Sequence, residues 1–174
     1  MKPLKQVAQA YMALSEGERL RSEGAFAEAE AQYRKAMEVT RAIPAEEVFD
    51  HDGFDALCNA GLSRALGELG RYDESLVSAE LALRYFSRRG ELHQDEGLHW
   101  IDAVIGRATA LAKTGKRSEA LAAFEMAGEM VAERKGGIAE REALQRTIDD
   151  NIALLRKSMP EDRSKYKAWW EFWS

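Results

Sequence analysis

The feature that most constrains this chain is a pattern that occurs three times along it. The three stretches begin at Gly24, Gly70 and Gly115 and read GAFAEAEAQYRKAM, GRYDESLVSAELAL and GKRSEALAAFEMAG. Their starts lie 46 and then 45 residues apart. A fixed period of this length is typical of an array of supersecondary units, each of which buries its apolar face against the next.

Each stretch predicts a helix that follows a tight turn. Small or aromatic residues recur at a spacing of three and four, which places them on one buried face: Ala29, Tyr33 and Ala36; Ser75, Ala79 and Ala82; Ala120, Phe124 and Ala127. A second helical segment precedes each glycine, with Gly17, Ser63 or Ala108 followed by a leucine three residues later. Small side chains there let two antiparallel helices pack closely. We therefore expect three helical hairpins.

This pattern resembles the tetratricopeptide repeat (TPR), which has a small residue in its first helix and an alanine, aromatic, alanine series in its second. The resemblance covers roughly residues 8–134 and implies an all-α, right-handed superhelix with repeats near 8–44, 53–89 and 98–134. Ala13, Asn59 and Val104 stand where the consensus has a tryptophan. The period also exceeds the usual length of about 34 residues. The chain is closer to long-repeat variants such as those of kinesin light chain.

The segments between repeats and after the last repeat complete the predicted domain. Asp50 or Asp52, and then Asp95, are placed as N-caps of lengthened first helices, with loop before them. After the third repeat, an apolar stripe predicts an amphipathic capping helix over residues 138–159. Its members are Leu144, Ile148, Ile152, Leu155 and Met159. The sequence thus predicts a TPR-like domain over 1–159 and an aromatic tail over 160–174.

Composition excludes some classes of function. The formal net charge of −5 opposes sequence-independent binding of nucleic acid, which needs a basic surface. A single cysteine, Cys58, lies within an apolar pattern and is expected to be a buried thiol. The N-terminus MKPLKQVAQAYMALSEGERL has polar residues in every turn, so we expect neither a secretion signal nor a membrane span, and a cytoplasmic location.

Patterns that support catalysis are weak in this sequence. His93, Glu96 and His99 recur every three residues, but a zinc-binding helix needs histidines four residues apart. No glycine-rich phosphate loop follows a predicted strand, and no nucleophile arrangement is recognisable. We therefore expect a non-catalytic protein with no cofactor and no metal.

The TPR resemblance implies a concave surface, lined by the first helix of each repeat, that binds a segment of a partner protein. Apolar contacts would come from Tyr11, Leu14 and Ile105, and charged residues would set the partner's register. Leu14 and Glu18 occupy positions where TPRs that bind a C-terminal carboxylate carry lysine and asparagine, so that binding mode is not expected. The predicted groove consists of Tyr11, Leu14, Glu18, Arg21, Arg64, Glu68, Asp102, Ile105, Thr109 and Lys113.

The segments between repeats form a second candidate surface, a binding rim. It consists of Asp50, His51, Asp52, Phe54, Arg88, Arg89, Asp95, Glu96 and Trp100. The alternative is that these residues cap helices and that Phe54 and Trp100 pack in the core.

The tail concentrates apolar surface in Trp169, Trp170, Phe172 and Trp173. At about 25 cal/mol per Å², burying these side chains stabilises whatever state covers them by several kcal/mol. The tail could fold back onto its own superhelix, insert into a second copy to form a homodimer, or bind another partner. A membrane surface is disfavoured because few basic residues are nearby. Three functions stay open: a partner-binding module, a self-assembling structural protein, and a small bacterial secretion or assembly chaperone.

Overall fold

The computed structural model describes residues 4–160, and this range contains seven α-helices and no strand. The helices are α1 (Leu4–Ser22), α2 (Phe26–Arg41), α3 (His51–Glu68), α4 (Tyr72–Arg89), α5 (Glu96–Lys113), α6 (Arg117–Glu133) and α7 (Arg141–Ser158). The predicted all-α, TPR-like fold of three hairpins and a capping helix is confirmed.

The turn of each hairpin depends on its glycine. Gly24, Gly70 and Gly115 have φ angles of +80°, +75° and +85°. This left-handed conformation strains a residue with a Cβ atom, whereas glycine adopts it readily. The repeated glycine is therefore the turn that reverses the chain between the first and second helix of each repeat.

The helix faces predicted from the repeat are buried. Every alanine of the predicted series, together with Tyr33, Phe124 and Ser75, is buried between the two helices of its hairpin and the next repeat. The Ser75 hydroxyl donates a hydrogen bond to the Ser63 carbonyl oxygen at 2.7 Å, so the small polar pair joins α3 to α4. Small residues at these crossings let the paired helices approach closely.

The long period is shared between helices and connections. The helices are 16 to 19 residues long, and the connections between repeats cover residues 42–50, 90–95 and 134–140. Asp50 is an N-cap, because its Oδ1 accepts a hydrogen bond from the Gly53 backbone nitrogen at 2.9 Å. The prediction for Asp95 is wrong, since its side chain makes no capping hydrogen bond. Its backbone is already helical, whereas a capping side chain needs an extended backbone.

Helix α7 covers the apolar end of the third repeat, as predicted. Ile148 and Leu155 are buried, and Leu144 and Ile152 pack against the same cluster of α5 and α6 residues. The helix begins at Arg141 instead of 138, after Glu140 in a left-handed conformation with φ 53°. Ile138 in the preceding segment also packs on this cluster, which extends the cap beyond the helix.

The helices form two layers that define the curvature. The first helices of the repeats contact one another directly, α1 with α3 and α3 with α5. The second helices, α2, α4 and α6, make no comparable contacts with one another. The first helices therefore form the inner, concave layer and the second helices the outer, convex layer, and α7 packs against α6 beside the inner layer. None of the described helices is long and apolar enough to span a membrane.

Candidate functional site

The concave layer contains a cavity between α3, α5 and α7, with a volume of about 220 Å³. It exists because α7 packs against α6 but makes no comparable contact with α5. Four residues of the predicted groove line it: Arg64, Glu68, Ile105 and Thr109. Four residues of α7 complete the opposite wall: Leu144, Thr147, Ile148 and Asn151. We call this space the concave cavity.

The concave cavity combines an apolar floor with polar walls. Ile105, Phe124 and Ile148 are buried and form the floor. Glu68 is exposed at the edge and forms no ion pair with any residue that the structure describes. The Asn151 side chain donates to the Thr147 carbonyl oxygen at 2.8 Å, which leaves its own amide oxygen available as an acceptor. The cavity can accommodate one apolar side chain of a ligand, while the polar groups of its walls contact the ligand backbone next to that side chain.

Four of the six charged residues of the predicted groove, Glu18, Arg21, Arg64 and Asp102, bind one another. Asp102 accepts hydrogen bonds from Arg21 at 2.8 Å and from Arg64 at 2.7 Å. Arg21 also donates to Glu18 at 2.7 Å, and Glu18 accepts the Tyr33 hydroxyl proton at 2.8 Å. We call these five residues the concave charge network. It joins all three repeats, and its charges balance within the chain.

The environment raises the pKa values of Arg21 and Tyr33, two members of the concave charge network. Burial lowers the pKa of Arg21, but the Asp102 and Glu18 carboxylates outweigh this effect and raise it overall. Burial, followed by the Glu18 charge, raises the pKa of the Tyr33 hydroxyl. The tyrosine therefore stays a proton donor to Glu18. A role for these residues in setting a partner's register stays a prediction.

The apolar residues predicted for the groove differ in accessibility. Leu14 is only 5% exposed and belongs to the core formed by α1, α2 and α3. The prediction that Leu14 offers open contact surface is wrong, because its position on α1 faces the neighbouring helices. Ile105 is also buried and is reached only through the concave cavity. Tyr11 is exposed and lies edge-on to Phe54, and Lys113 is exposed at the end of α5.

The predicted rim is partly structural. Phe54 is buried, and Trp100 stacks on Phe86 with ring centroids 6.2 Å apart. Glu96 accepts a hydrogen bond from the Glu91 backbone nitrogen. The capping and packing alternative is therefore confirmed for Asp50, Phe54 and Trp100. The remaining rim residues are exposed or half-buried: His51, Asp52, Arg88, Arg89 and Asp95.

Asp50 also raises the pKa of a neighbouring tyrosine, Tyr85. Its second carboxylate oxygen accepts a hydrogen bond from the Tyr85 hydroxyl at 2.8 Å. This hydrogen bond, with a smaller effect of burial, raises the pKa of Tyr85 from 10.0 to about 12. The folded state holds this proton more tightly than the unfolded chain does. The contribution to stability is therefore complete below pH 10 and is lost as the pH rises from about 10 to about 12.

We expect Asp50→Ala to return the pKa of Tyr85 towards 10, because the hydrogen-bond acceptor and its charge are removed. The measurement is the absorbance of tyrosinate as a function of pH, with Tyr85→Phe identifying the component that belongs to this residue. The substitution should also cost about 1 kcal/mol of stability through the lost cap. An unshifted Tyr85 titration in Asp50→Ala would contradict the assignment.

Sequence reasoning missed two contributions. The first is the α7 wall of the concave cavity, because the cap was predicted only from its apolar stripe. The second is Arg134, which is 5% exposed and donates hydrogen bonds to the carbonyl oxygens of Leu92 and Gln94. This buried side chain ties the segment after α6 to the segment before α5. A lone arginine near a helix end carries no signal that distinguishes this role from interaction with the helix dipole.

The remaining predictions concern the cysteine, the histidines and the aromatic tail. Cys58 is buried, as predicted, and burial raises the pKa of its thiol. His93 is exposed, and its Nδ1 accepts a hydrogen bond from the Lys135 backbone nitrogen at 3.3 Å. Within residues 4–160, no three histidine, cysteine or carboxylate side chains converge as a metal site would require. Trp169, Trp170, Phe172 and Trp173 lie outside the described residues.

Comparison with known proteins defines the family. The model of a family described as a Domain of Unknown Function (DUF3856) matches residues 2–144. The crystal structure of a TPR-like protein from Chlorobium tepidum TLS is similar at 50% sequence identity and a TM-score of 0.85. The match covers 90% of this chain and 99% of that one. No curated protein matches the sequence.

A more distant structure shares the fold alone. It is the C-terminal TPR-containing domain of a Plasmodium falciparum protein assigned to the FK506-binding proteins, with 16% identity and a TM-score of 0.58. The match covers 91% of this chain and 97% of that one. Together with the helical hairpins and the capping helix, these similarities support the resemblance noted in the sequence. The chain belongs to the DUF3856 family, and its fold is TPR-like.

Proposed function

We propose that this protein is a non-catalytic interaction module that binds a segment of a partner protein on its concave face. The observation that carries the proposal is the concave cavity, in which an apolar floor is surrounded by polar groups of α3, α5 and α7. TPR-like proteins generally bind protein partners, and this cavity lies on the surface that curved helical repeats use for binding.

The chemistry of the concave cavity suggests the form of the ligand. An apolar side chain of the partner would enter between Ile105 and Leu144 and displace water from the floor. Thr109, Thr147 and Asn151 would meet the polar backbone on either side of that side chain. Glu68, which has no described ion-pair partner, favours a basic residue next to the apolar anchor. Because Arg64 is bound to Asp102, it contributes less to recognition than Glu68 does.

The test uses a photo-crosslinking amino acid at Thr109, with the same group at Glu129 on the convex layer as the control. We expect cross-linked partner protein from Thr109 only. Thr147→Trp should fill the cavity from its open side and reduce binding about tenfold, equivalent to about 1.4 kcal/mol. Thr147 is exposed, so the fold should tolerate the substitution.

Asp149→Trp is the matched control, since Asp149 is exposed elsewhere on α7 and does not line the concave cavity. Two further variants, Glu68→Lys and Lys113→Glu, test whether exposed charges of the predicted groove contribute to binding, because they leave the concave charge network intact. If Thr147→Trp and Asp149→Trp retain the same cross-linked proteins in equal amounts, the concave cavity is not the binding site. Equal thermal unfolding of the variants excludes misfolding as the cause of a loss.

A further inference from the structure

A second and more apolar groove lies on the opposite side of the molecule, between α4, α5 and α6. It has a volume of about 440 Å³ and is lined by Leu83, Trp100, Val104 and Met126, with Arg84 and Arg107 at its edges. Met126 is 45% exposed, so within the part of the chain that the structure describes the groove presents apolar surface to solvent. We call it the convex groove.

The two arginines of the convex groove differ in their pairing, because Arg107 lies within ion-pair distance of two carboxylates and Arg84 of none that the structure describes. Arg107 lies 3.7 Å from Glu119 and 3.9 Å from Glu80, and neither contact is a hydrogen bond. The Arg84 guanidinium forms no ion pair within residues 4–160. The groove therefore suits an apolar ligand that carries a negative charge beside its apolar groups.

The end of α7 contacts α6, one of the helices that line the convex groove. Arg156, in the last turn of α7, donates to Glu125 of α6 at 2.6 Å. The ten Cα–Cα steps from Met159 to Trp169 can span up to about 33 Å when extended. Because a helix with its side chains is about 10–12 Å across, a segment of this length is long enough to cross α6 towards the convex groove of the same chain.

The turn that follows each first helix cannot recur after α7. In the three hairpins, the turn glycine lies two residues after the last residue of the first helix. Helix α7 ends at Ser158, so Pro160 occupies the corresponding position. Proline fixes φ near −65° and cannot adopt the left-handed conformation of Gly24, Gly70 and Gly115. Met159 is extended, with φ −84° and ψ 136°, as expected before proline.

The tail also lacks the side chains that a fourth hairpin needs. In the register of the repeats, Lys165 and Phe172 fall at positions occupied by small residues that are fully buried. Those residues are Ala29, Ser75 and Ala120 at the first position and Ala36, Ala82 and Ala127 at the second. A lysine and a phenylalanine would separate helices that cross this closely. The aromatic tail therefore needs a different binding surface.

We propose that residues 169–173 bind in the convex groove of the same chain. The aromatic side chains lie against Leu83, Trp100 and Met126, and Glu171 lies near Arg84 and Arg107. The concave cavity is a poorer site, because its volume of about 220 Å³ is half that of the convex groove and its lining includes the polar side chains of Thr109, Thr147 and Asn151. The inference concerns a surface separate from the proposed partner-binding site and goes beyond that function.

The test uses the full chain with Trp100 in place, and the Trp100 emission is measured in a variant whose three tail tryptophans are replaced by phenylalanine and is then subtracted. We expect the tail tryptophans to be shielded from acrylamide. Met126→Glu places a negative charge in the convex groove, where it repels Glu171 and interrupts the apolar contact, so it should weaken docking about tenfold and raise acrylamide quenching severalfold. Leu154→Glu is the matched control, since Leu154 is 66% exposed on α7 and outside the groove, and it should leave quenching unchanged.

Each other outcome overturns the proposal. Tail tryptophans that are fully quenched before substitution would show that the segment is not bound. Shielding that survives Met126→Glu, or that is lost in Leu154→Glu, would place the tail on another surface. Shielding that disappears on dilution, with a dimer seen by light scattering, would assign the tail to a second copy. Glu68→Lys should leave quenching unchanged, so this result is independent of the concave cavity as a partner site.

Discussion

Gly61→Ala is expected to destabilise the protein by about 2 kcal/mol, although alanine is the better helix former. A Cβ atom at this position would lie 2.4 Å from Cζ of Tyr33, well inside van der Waals contact. The ring has no free space, because it is fully buried and also packs against Gly17. Its hydroxyl is held by Glu18 and Arg21. The added methyl group must therefore separate α2 from α3.

Gly67→Ala on the same helix is the matched control. Its Cβ atom would meet only the Ser75 hydroxyl at 3.6 Å, which is an ordinary contact. We expect this variant to be neutral or more stable by up to about 1 kcal/mol, because alanine loses less backbone entropy in a helix. Urea unfolding followed by circular dichroism measures both variants. Similar free energies of unfolding for the two would contradict the close packing of Tyr33 against α3.

Asp102→Ala is expected to cost about 3 kcal/mol of stability. The carboxylate is 19% exposed and is shared by Arg21 of the first repeat and Arg64 of the second. Its removal leaves two half-buried guanidinium groups without their common partner. Because α1 makes only a small contact with α3, the lost ion pair should also raise amide hydrogen exchange in α1.

Two measurements test this explanation of Asp102. Glu125→Ala removes an exposed carboxylate that pairs with Arg156, and it should change stability little, because exposed ion pairs contribute little. A double-mutant cycle of Asp102→Ala with Arg21→Met should show strong coupling, since the second substitution removes a charge that the first leaves unpaired. Additive effects of the two substitutions would show that the ion pair does not link the repeats.

The concave and convex faces have different chemistry. The concave cavity is small and bordered by polar groups, whereas the convex groove is larger, mostly apolar and flanked by arginines. An aromatic, weakly charged segment would therefore bind the convex groove. A peptide that inserts one apolar side chain and presents its polar backbone would bind the concave cavity. A protein of this design can bind its own tail without occupying the surface proposed for its partner.

The sequence alone determined the hairpins, their order and the capping helix. These features depend on local patterns: a glycine that must adopt a positive φ, small residues at helical spacing, and the apolar stripe of α7. Each pattern spans one hairpin or less, so nearby residues suffice to reveal it. Asp50 or Asp52 was predicted as an N-cap for the same reason, because a cap and its helix are adjacent in sequence, and the structure shows that Asp50 is the cap.

Only the tertiary structure decided which charges pair and where the cavities open. Arg21 and Asp102 lie 81 residues apart, and their contact depends on the angle at which successive repeats stack. The same angles turn Leu14 into the core and leave a gap between α5 and α7. Stacking angles result from packing between many side chains of separate repeats, which no local pattern specifies. The sequence therefore encodes the repeated unit directly, whereas the binding surfaces exist only once the units are stacked.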